Sequence, residues 1–224
     1  MSSVFIVGGA GKIGRRLIQH LVLRGHKPVA MHRQIHQGTE LERLGALPVN
    51  GSLQELTVDH LARLMSGCDV VIFTAGAGGK GGPEMTNAID GRGLELSVEA
   101  ATLAGIKRFL LVSAFPEAGR GKHVSDTFEN YMAVKKRADV YLAQSSLDWA
   151  ILRPGTLTDQ PGSGLVRVGL VIPYGEVSRE DVAATLVGLV EKPQLARVVL
   201  ELTQGNTPVD EALVLFASGQ VAIS

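Results

Sequence analysis

Short runs of consecutive apolar residues alternate along the chain with longer stretches in which apolar positions recur every three or four residues. That rhythm predicts strands joined by crossover helices. The first run covers 3–7 and meets Gly8-Gly9-Ala10-Gly11; a helix follows over 12–24, with Ile13, Leu17, Ile18 and Leu21 on one face. Further strands are expected at 28–31, 47–50, 70–74, 108–112 and 147–152, with helices at 56–65, 83–104 and 126–145. Residues 70–74 are apolar on both faces, as the middle of a parallel sheet requires. Gly91 and Gly93 weaken the middle of the long helix. Residues 115–123 read as an exposed loop, and Pro161 to Gly164 as a turn or mobile loop before an extended 165–172. Ser178 is placed to cap a helix over 182–190, a strand follows at 197–202, and Thr207 is expected to cap a last helix with Pro208 in its first turn.

The predicted architecture is α/β: a Rossmann-type doubly wound parallel sheet with helices on both faces. Its 224 residues suit a single domain, 1–224, in which about 155–224 form a small substrate-side C-terminal lobe. Charge refines the picture. Lys plus Arg and Asp plus Glu each number 22, and the longest basic run is Lys135-Lys136-Arg137, so extensive nucleic-acid binding is not expected. Cys68 is the sole cysteine and cannot form an intrachain disulfide. The run 4–7 is too short for a signal peptide or membrane span, so a cytoplasmic protein without membrane association is expected. Self-association into a homo-oligomer is compatible with the sequence.

Candidate chemistry begins at Gly8, Gly11 and Gly14, spaced G-x-x-G-x-x-G between a strand and a helix. Glycine suits that place because a Cβ would hold the backbone away from a pyrophosphate, while the N–H groups that open the helix face the anion. A tight turn without ligand is the bland alternative; the strand-before and helix-after context favours a dinucleotide. The second strand ends in Met31-His32-Arg33, without the carboxylate that receives the ribose hydroxyls in NAD sites. Arg33 is suited to a 2′-phosphate, so NADP(H) is favoured over NAD(H). His32 and His36 have no evident third ligand, and no metal site is expected.

Ser113 closes the fifth strand, and Tyr131 and Lys135 stand four apart on one face of the following helix. A lysine beside a phenol lowers the tyrosine pKa, so that the phenol can exchange a proton with a carbonyl or alcohol while a serine orients the oxygen. Ser113, Tyr131 and Lys135 are therefore the catalytic candidates, against the plainer reading of an amphipathic helix. Lys135 is also a candidate cofactor-ribose contact.

The ordered set VFIVGGAGKIG, CDVVIFTAGAG, AIDGRGLELSVEAATLAGIKRFLLVSA, YMAVKKRAD, SSLDWAILRPGTLTD and VSREDVA resembles the atypical short-chain dehydrogenase/reductase superfamily. The likeness is to its NmrA-like and biliverdin/flavin-reductase-like NAD(P)H-binding members. That resemblance implies Gly8, Gly11, Lys12, Ile13 and Gly14 around the pyrophosphate, and Arg33 at the adenosine phosphate. It implies Ser52 and Leu53 by the adenine, Ala75 and Gly76 beyond the fourth strand, and Pro154, Gly155 and Thr156 flanking the nicotinamide. Relatives usually carry an aspartate around position 52, where this chain has Ser52.

The function expected is an NADP(H)-dependent reductase of a small carbonyl, quinone or conjugated acceptor. The alternative is a non-catalytic NADP(H)-sensing regulator. A sugar-nucleotide epimerase is disfavoured, because about 70 residues remain after the sixth strand for a substrate domain. Cys68 is expected to be an inert thiol, Trp149 core packing, and Asp90 with Arg92 a structural ion pair.

Overall fold

A computed structural model describes residues 1–219. The chain begins β1 (Ser3–Val7), α1 (Lys12–Leu23), β2 (Lys27–His32), α2 (Gln37–Arg43), β3 (Leu47–Asn50), α3 (Val58–Met65) and β4 (Val70–Phe73). There follow α4 (Gly82–Thr86), a π-helical turn (Asn87–Arg92), α5 (Gly93–Leu103), β5 (Arg108–Val112), α6 (Asp126–Ala143) and β6 (Asp148–Pro154). The remainder is β7 (Thr156–Thr158), β8 (Leu165–Gly169), β9 (Glu176–Ser178), α7 (Arg179–Glu191), β10 (Val198–Gln204), β11 (Thr207–Pro208) and α8 (Val209–Ala217).

Among the described residues one nine-stranded sheet runs β11-β8-β10-β6-β5-β4-β1-β2-β3, and β7 pairs with β9 apart from it. Pairings from β3 across to β10 are parallel, whereas β8 meets β10 and β11 antiparallel. This is the doubly wound arrangement the sequence predicts. Chain order reverses at β1, with β2 on one side and β4 on the other, and ligands of such sheets gather above that reversal.

Alternation within each strand separates two cores. Val4, Ile6, Ile72 and Leu110 pack with Leu17, Leu41, Leu186 and Leu213 from α1, α2, α7 and α8. Phe5, Val7, Phe73 and Phe109 pack on the other face with Leu61, Leu94, Ala138 and Leu142 from α3, α5 and α6. Burial of these side chains drives the fold, each contributing about 1.5–3 kcal/mol.

Four expectations need correction. Residues 37–43 form a helix that the periodicity did not announce; its seven residues bury only Gly38 and Leu41, too few for a repeating stripe. The long helix is continuous only through a π-helical turn at Asn87–Arg92, where glycines permit the wider winding. Thr207 and Pro208 pair with β8 as a short strand instead of opening a helix, so Pro208 is the cap and α8 begins at Val209. The extended segment from 165 stops at Gly169, where a Cβ would lie 2.6 Å from Ile172 Cγ2 as the chain turns back.

Candidate functional site

The turn after β1 is shaped by glycines in three different ways. Gly8 has φ +91°, and a Cβ there would meet Ala75 N at 2.7 Å. Gly14 is packed on main chain, its absent Cβ lying 2.5 Å from Gly8 O and 2.6 Å from Gly9 O. Gly11 differs: a Cβ would touch Gly8 O at 3.1 Å and nothing else within 4 Å, so its bare side faces open space. Gly11 is also the N-cap of α1, with no side-chain cap and no acidic residue in the first turn. Unsatisfied N–H groups and the positive end of the helix dipole thus face a cavity, which is the chemistry a pyrophosphate needs.

That cavity, about 510 Å³, lies above the β1/β4 reversal. Its walls include Gly8, Gly11, Arg33, Ser52, Leu53, Ala75 and Gly76, seven of the positions named from sequence. Arg33 is exposed at one end beside His32 and Gln37, and among the described residues no carboxylate lines the cavity. Ile13 and Gly14 sit behind the turn in the core. The Lys12 side chain is turned across to Asp159, 2.5 Å away, leaving its main chain at the helix start. The residues present fit a dinucleotide at its phosphate and adenosine end.

Pro154 ends β6, and the backbone crosses to β7 at Gly155, where a Cβ would collide with Gly175 O at 2.1 Å. Thr156 is exposed and shares a 2.7 Å hydrogen bond with the Tyr174 hydroxyl, whose ring meets Phe115 edge-on at 5.2 Å. Tyr174 thus links Thr156 to the buried Phe115 after β5.

The α6 side is built from buried charge. Ser125 caps the helix, accepting from Phe128 N, and so fixes where it begins. Lys135 is 4% exposed; its ammonium donates to Val112 O at 2.9 Å and lies 3.7 Å from Asp90 Oδ1. Burial pulls the Lys135 pKa down, opposed by Asp90 and Asp139. Tyr131 is pushed up to about 12, by burial first and then by Asp90 and Asp139. The expected lowering of the phenol pKa by Lys135 is therefore corrected. The lysine's charge is spent on a carbonyl and a carboxylate, and two acids face the phenol. Ser113 Oγ is buried at the end of β5 with no hydrogen-bond partner among the described residues.

Asp90 and Arg92 do not pair as expected. Asp90 is buried and accepts from Ala77 N at 2.9 Å, while Arg92 turns out to Glu95. Asp90 thereby ties the loop after β4 to Lys135, and a π-helical turn aims it there. Sequence reasoning also missed Asp139, whose Oδ2 accepts from Arg153 Nε at 3.0 Å. Burial raises the Asp139 pKa; the nearby Ser113 hydroxyl and Arg153 oppose it, although that hydroxyl makes no hydrogen bond of good geometry. The spacing of Asp139 four residues after Lys135 was the available signal, since it sets both on one helix face. Cys68 is half-buried, with its pKa raised by burial, as an inert thiol should be. Trp149 packs in the second core.

A bare, glycine-lined helix start above the strand reversal of a parallel sheet defines a Rossmann-type nucleotide-binding protein. The chain belongs to the NAD(P)H-binding family, whose model matches residues 8–193, and is an atypical member of the short-chain dehydrogenase/reductase superfamily. It is 37% identical to a Bacillus subtilis protein named "Uncharacterized sugar epimerase YhfK", over 94% of this chain and 98% of that one. Among solved structures it resembles a putative NAD-dependent epimerase/dehydratase from Bacillus halodurans, with TM-score 0.87 and 33% identity. The match covers 96% of this chain and 99% of that one. It also resembles ChuY, an anaerobillin reductase from Escherichia coli O157:H7, with TM-score 0.72 and 25% identity over 91% and 97% of the two chains. Among the described residues no helix is long and apolar enough to cross a membrane.

Proposed function

We propose that the protein is an NADP(H)-dependent oxidoreductase that reduces a small carbonyl, quinone or conjugated acceptor. The observation that carries this reading is the cavity at Gly11: an uncapped helix start at one wall, Arg33 at the far end, and no carboxylate to repel a 2′-phosphate. The main chain at Gly8, Gly11, Lys12, Ile13 and Gly14 holds the pyrophosphate, Ser52 and Leu53 border the adenine, and Ala75 and Gly76 follow the cofactor inward. Pro154, Gly155 and Thr156 flank the nicotinamide. When bound, that ring supplies a hydride. Tyr131 stays protonated at neutral pH and donates its proton to the oxygen being reduced, and Ser113 orients that oxygen. Lys135 supports the site from below through Val112 O and Asp90. The name of the reductase neighbour is consistent with this chemistry, whereas the Bacillus halodurans neighbour is named for NAD, so the cofactor reading rests on the cavity itself.

Preferential NADP(H) binding must raise the melting temperature, so thermal melts with NADPH, NADH and no nucleotide test the cofactor. NADPH oxidation against a panel of quinones, aldehydes and enones tests turnover; a Tyr131→Phe variant that keeps full turnover transfers the proton role to water. The raised Tyr131 pKa supports a second reading, an NADP(H) sensor without turnover. It is favoured if NADPH binds and every acceptor in the panel fails.

A further inference from the structure

A pyrophosphate carries a negative charge on each phosphate, and the cations at the start of α1 are already taken. Lys12 is drawn to Asp159, Arg15 to Glu40 at 2.8 Å, and Arg16 to Glu180 at 3.3 Å. What that wall offers an anion is main-chain N–H alone.

Among the described residues, two side chains of fixed positive charge line the cavity, Arg33 and Lys80. They stand on opposite sides of the glycine turn, because β2 and β4 flank β1 in the sheet. Arg33 follows β2. Lys80 belongs to the loop after β4, which begins against the turn itself, since a Cβ on Gly8 would lie 2.7 Å from Ala75 N. Lys80 is exposed, and among the described residues its ammonium has neither an ion pair nor a hydrogen bond.

The loop is anchored at both ends and open between them. Asp90 Oδ2 accepts from Ala77 N at 2.9 Å at one end, and Pro83 stands in the first turn of α4 at the other. Between the anchors, Gly78, Gly79, Gly81 and Gly82 have φ from +62° to +74°, and a Cβ on Gly78, Gly79 or Gly82 would touch nothing within 4 Å. Glycine adopts such angles without cost and moves between them and their mirror images, so the backbone on either side of Lys80 can turn without breaking packed contacts. An unpaired ammonium is thus tethered by glycines over the cavity.

We propose that Lys80 is a pyrophosphate-binding residue: when the dinucleotide enters, residues 78–82 close over the cavity and the Lys80 ammonium pairs with the phosphate oxygens that the α1 amides hold. The inference rests on the dinucleotide reading above. NADPH and NADH share the pyrophosphate, so Lys80 adds affinity for both, whereas Arg33 sorts one from the other.

Trypsin cleaves after lysine and arginine, so closure is read at the Lys80–Gly81 bond of the full chain. With saturating NADPH its cleavage rate, followed by mass spectrometry, is expected to fall at least fivefold. Arg120–Gly121, an exposed bond after β5 and outside the cavity lining, is expected to keep its rate. In calorimetric titrations Lys80→Ala should weaken NADPH and NADH alike, by about fivefold, with less dependence on ionic strength and an unchanged melting temperature in the absence of nucleotide. Lys80→Arg should retain the affinity of the natural chain. Equal cleavage with and without NADPH overturns closure, and unweakened binding in Lys80→Ala overturns the contact. A loss for NADPH alone places the ammonium at the 2′-phosphate and overturns the pyrophosphate assignment. If neither nucleotide binds the natural chain, the cofactor reading itself fails; if both bind it and bind Lys80→Ala equally well, this inference alone fails.

Discussion

The two sides of the proposed site are built from different materials. The cavity after β1 is made of main chain: glycines without side chains, N–H groups at an uncapped helix start, and short loops beyond β3 and β4. The α6 side is made of ionisable side chains sunk in the interior, where Lys135, Asp90, Asp139 and Arg153 balance one another. Main-chain recognition depends on spacing and survives any surroundings that leave the amides bare. A buried titratable group takes its charge state from every neighbour, so its chemistry is decided by packing. Asp90 joins the two regions, accepting from Ala77 N on one side and facing Lys135 on the other.

The largest expected effect breaks that link. Asp90→Ala leaves the Lys135 ammonium buried without its counter-charge, a loss of about 3–5 kcal/mol in chemical denaturation. Asp90→Asn keeps an acceptor for Ala77 N–H and should retain more NADPH affinity than the alanine variant. Equal affinity in the two would mean the loop after β4 holds its shape unaided. Next, Gly14→Ala drives a Cβ into two main-chain oxygens at 2.5 and 2.6 Å, with a stability cost of about 1–3 kcal/mol and at least tenfold weaker NADPH binding in a fluorescence titration. Gly11→Ala, whose Cβ meets only Gly8 O and at the longer distance of 3.1 Å, should cost less stability than Gly14→Ala while weakening the nucleotide, which separates a packing glycine from a binding one.

A pH experiment addresses the α6 side alone. The Tyr131 phenol, pushed up to about 12 from an ordinary value near 10, binds its proton more tightly folded than unfolded. Stability from this source is complete below about pH 10 and is lost as pH rises through about 12, on the order of 2 kcal/mol. Tyr131→Phe should be correspondingly less sensitive between pH 9 and pH 12; equal sensitivity would show a phenol less buried than described. The smallest effect is at the exposed rim. Arg33→Ala should weaken NADPH about tenfold, or about 1.4 kcal/mol, and leave NADH unchanged. An equal loss for both nucleotides would remove the argument for NADP(H).

Strands were legible wherever burial on both faces produced unbroken apolar runs, as at 70–73 and 109–112. The helix over 37–43 was hidden because its partial burial leaves no periodic stripe, and the π-helical turn because glycine signals weakness without saying how a helix widens. Of the residues named at the site, Gly8, Gly11, Arg33, Ser52, Leu53, Ala75 and Gly76 share one cavity. Ser113 and Lys135 lie instead beside a separate hollow on the flank of α6, and Tyr131 lines neither of the two.

The alternation of the main parallel strands with helices, the glycine spacing at 8, 11 and 14, and the absence of a carboxylate after β2 were determined by sequence. Each is a local property of consecutive residues: apolar periodicity, a missing Cβ, a residue type at a strand end. What tertiary structure alone decided is the electrostatic state of the α6 side. Asp90 and Lys135 lie 45 positions apart in sequence, as their numbers give by subtraction, and Arg153 reaches Asp139 from another element. Their proximity raises the Tyr131 pKa where the helix spacing of Tyr131 and Lys135, taken alone, predicted the reverse, because charges act through distance in space and desolvation through depth of burial.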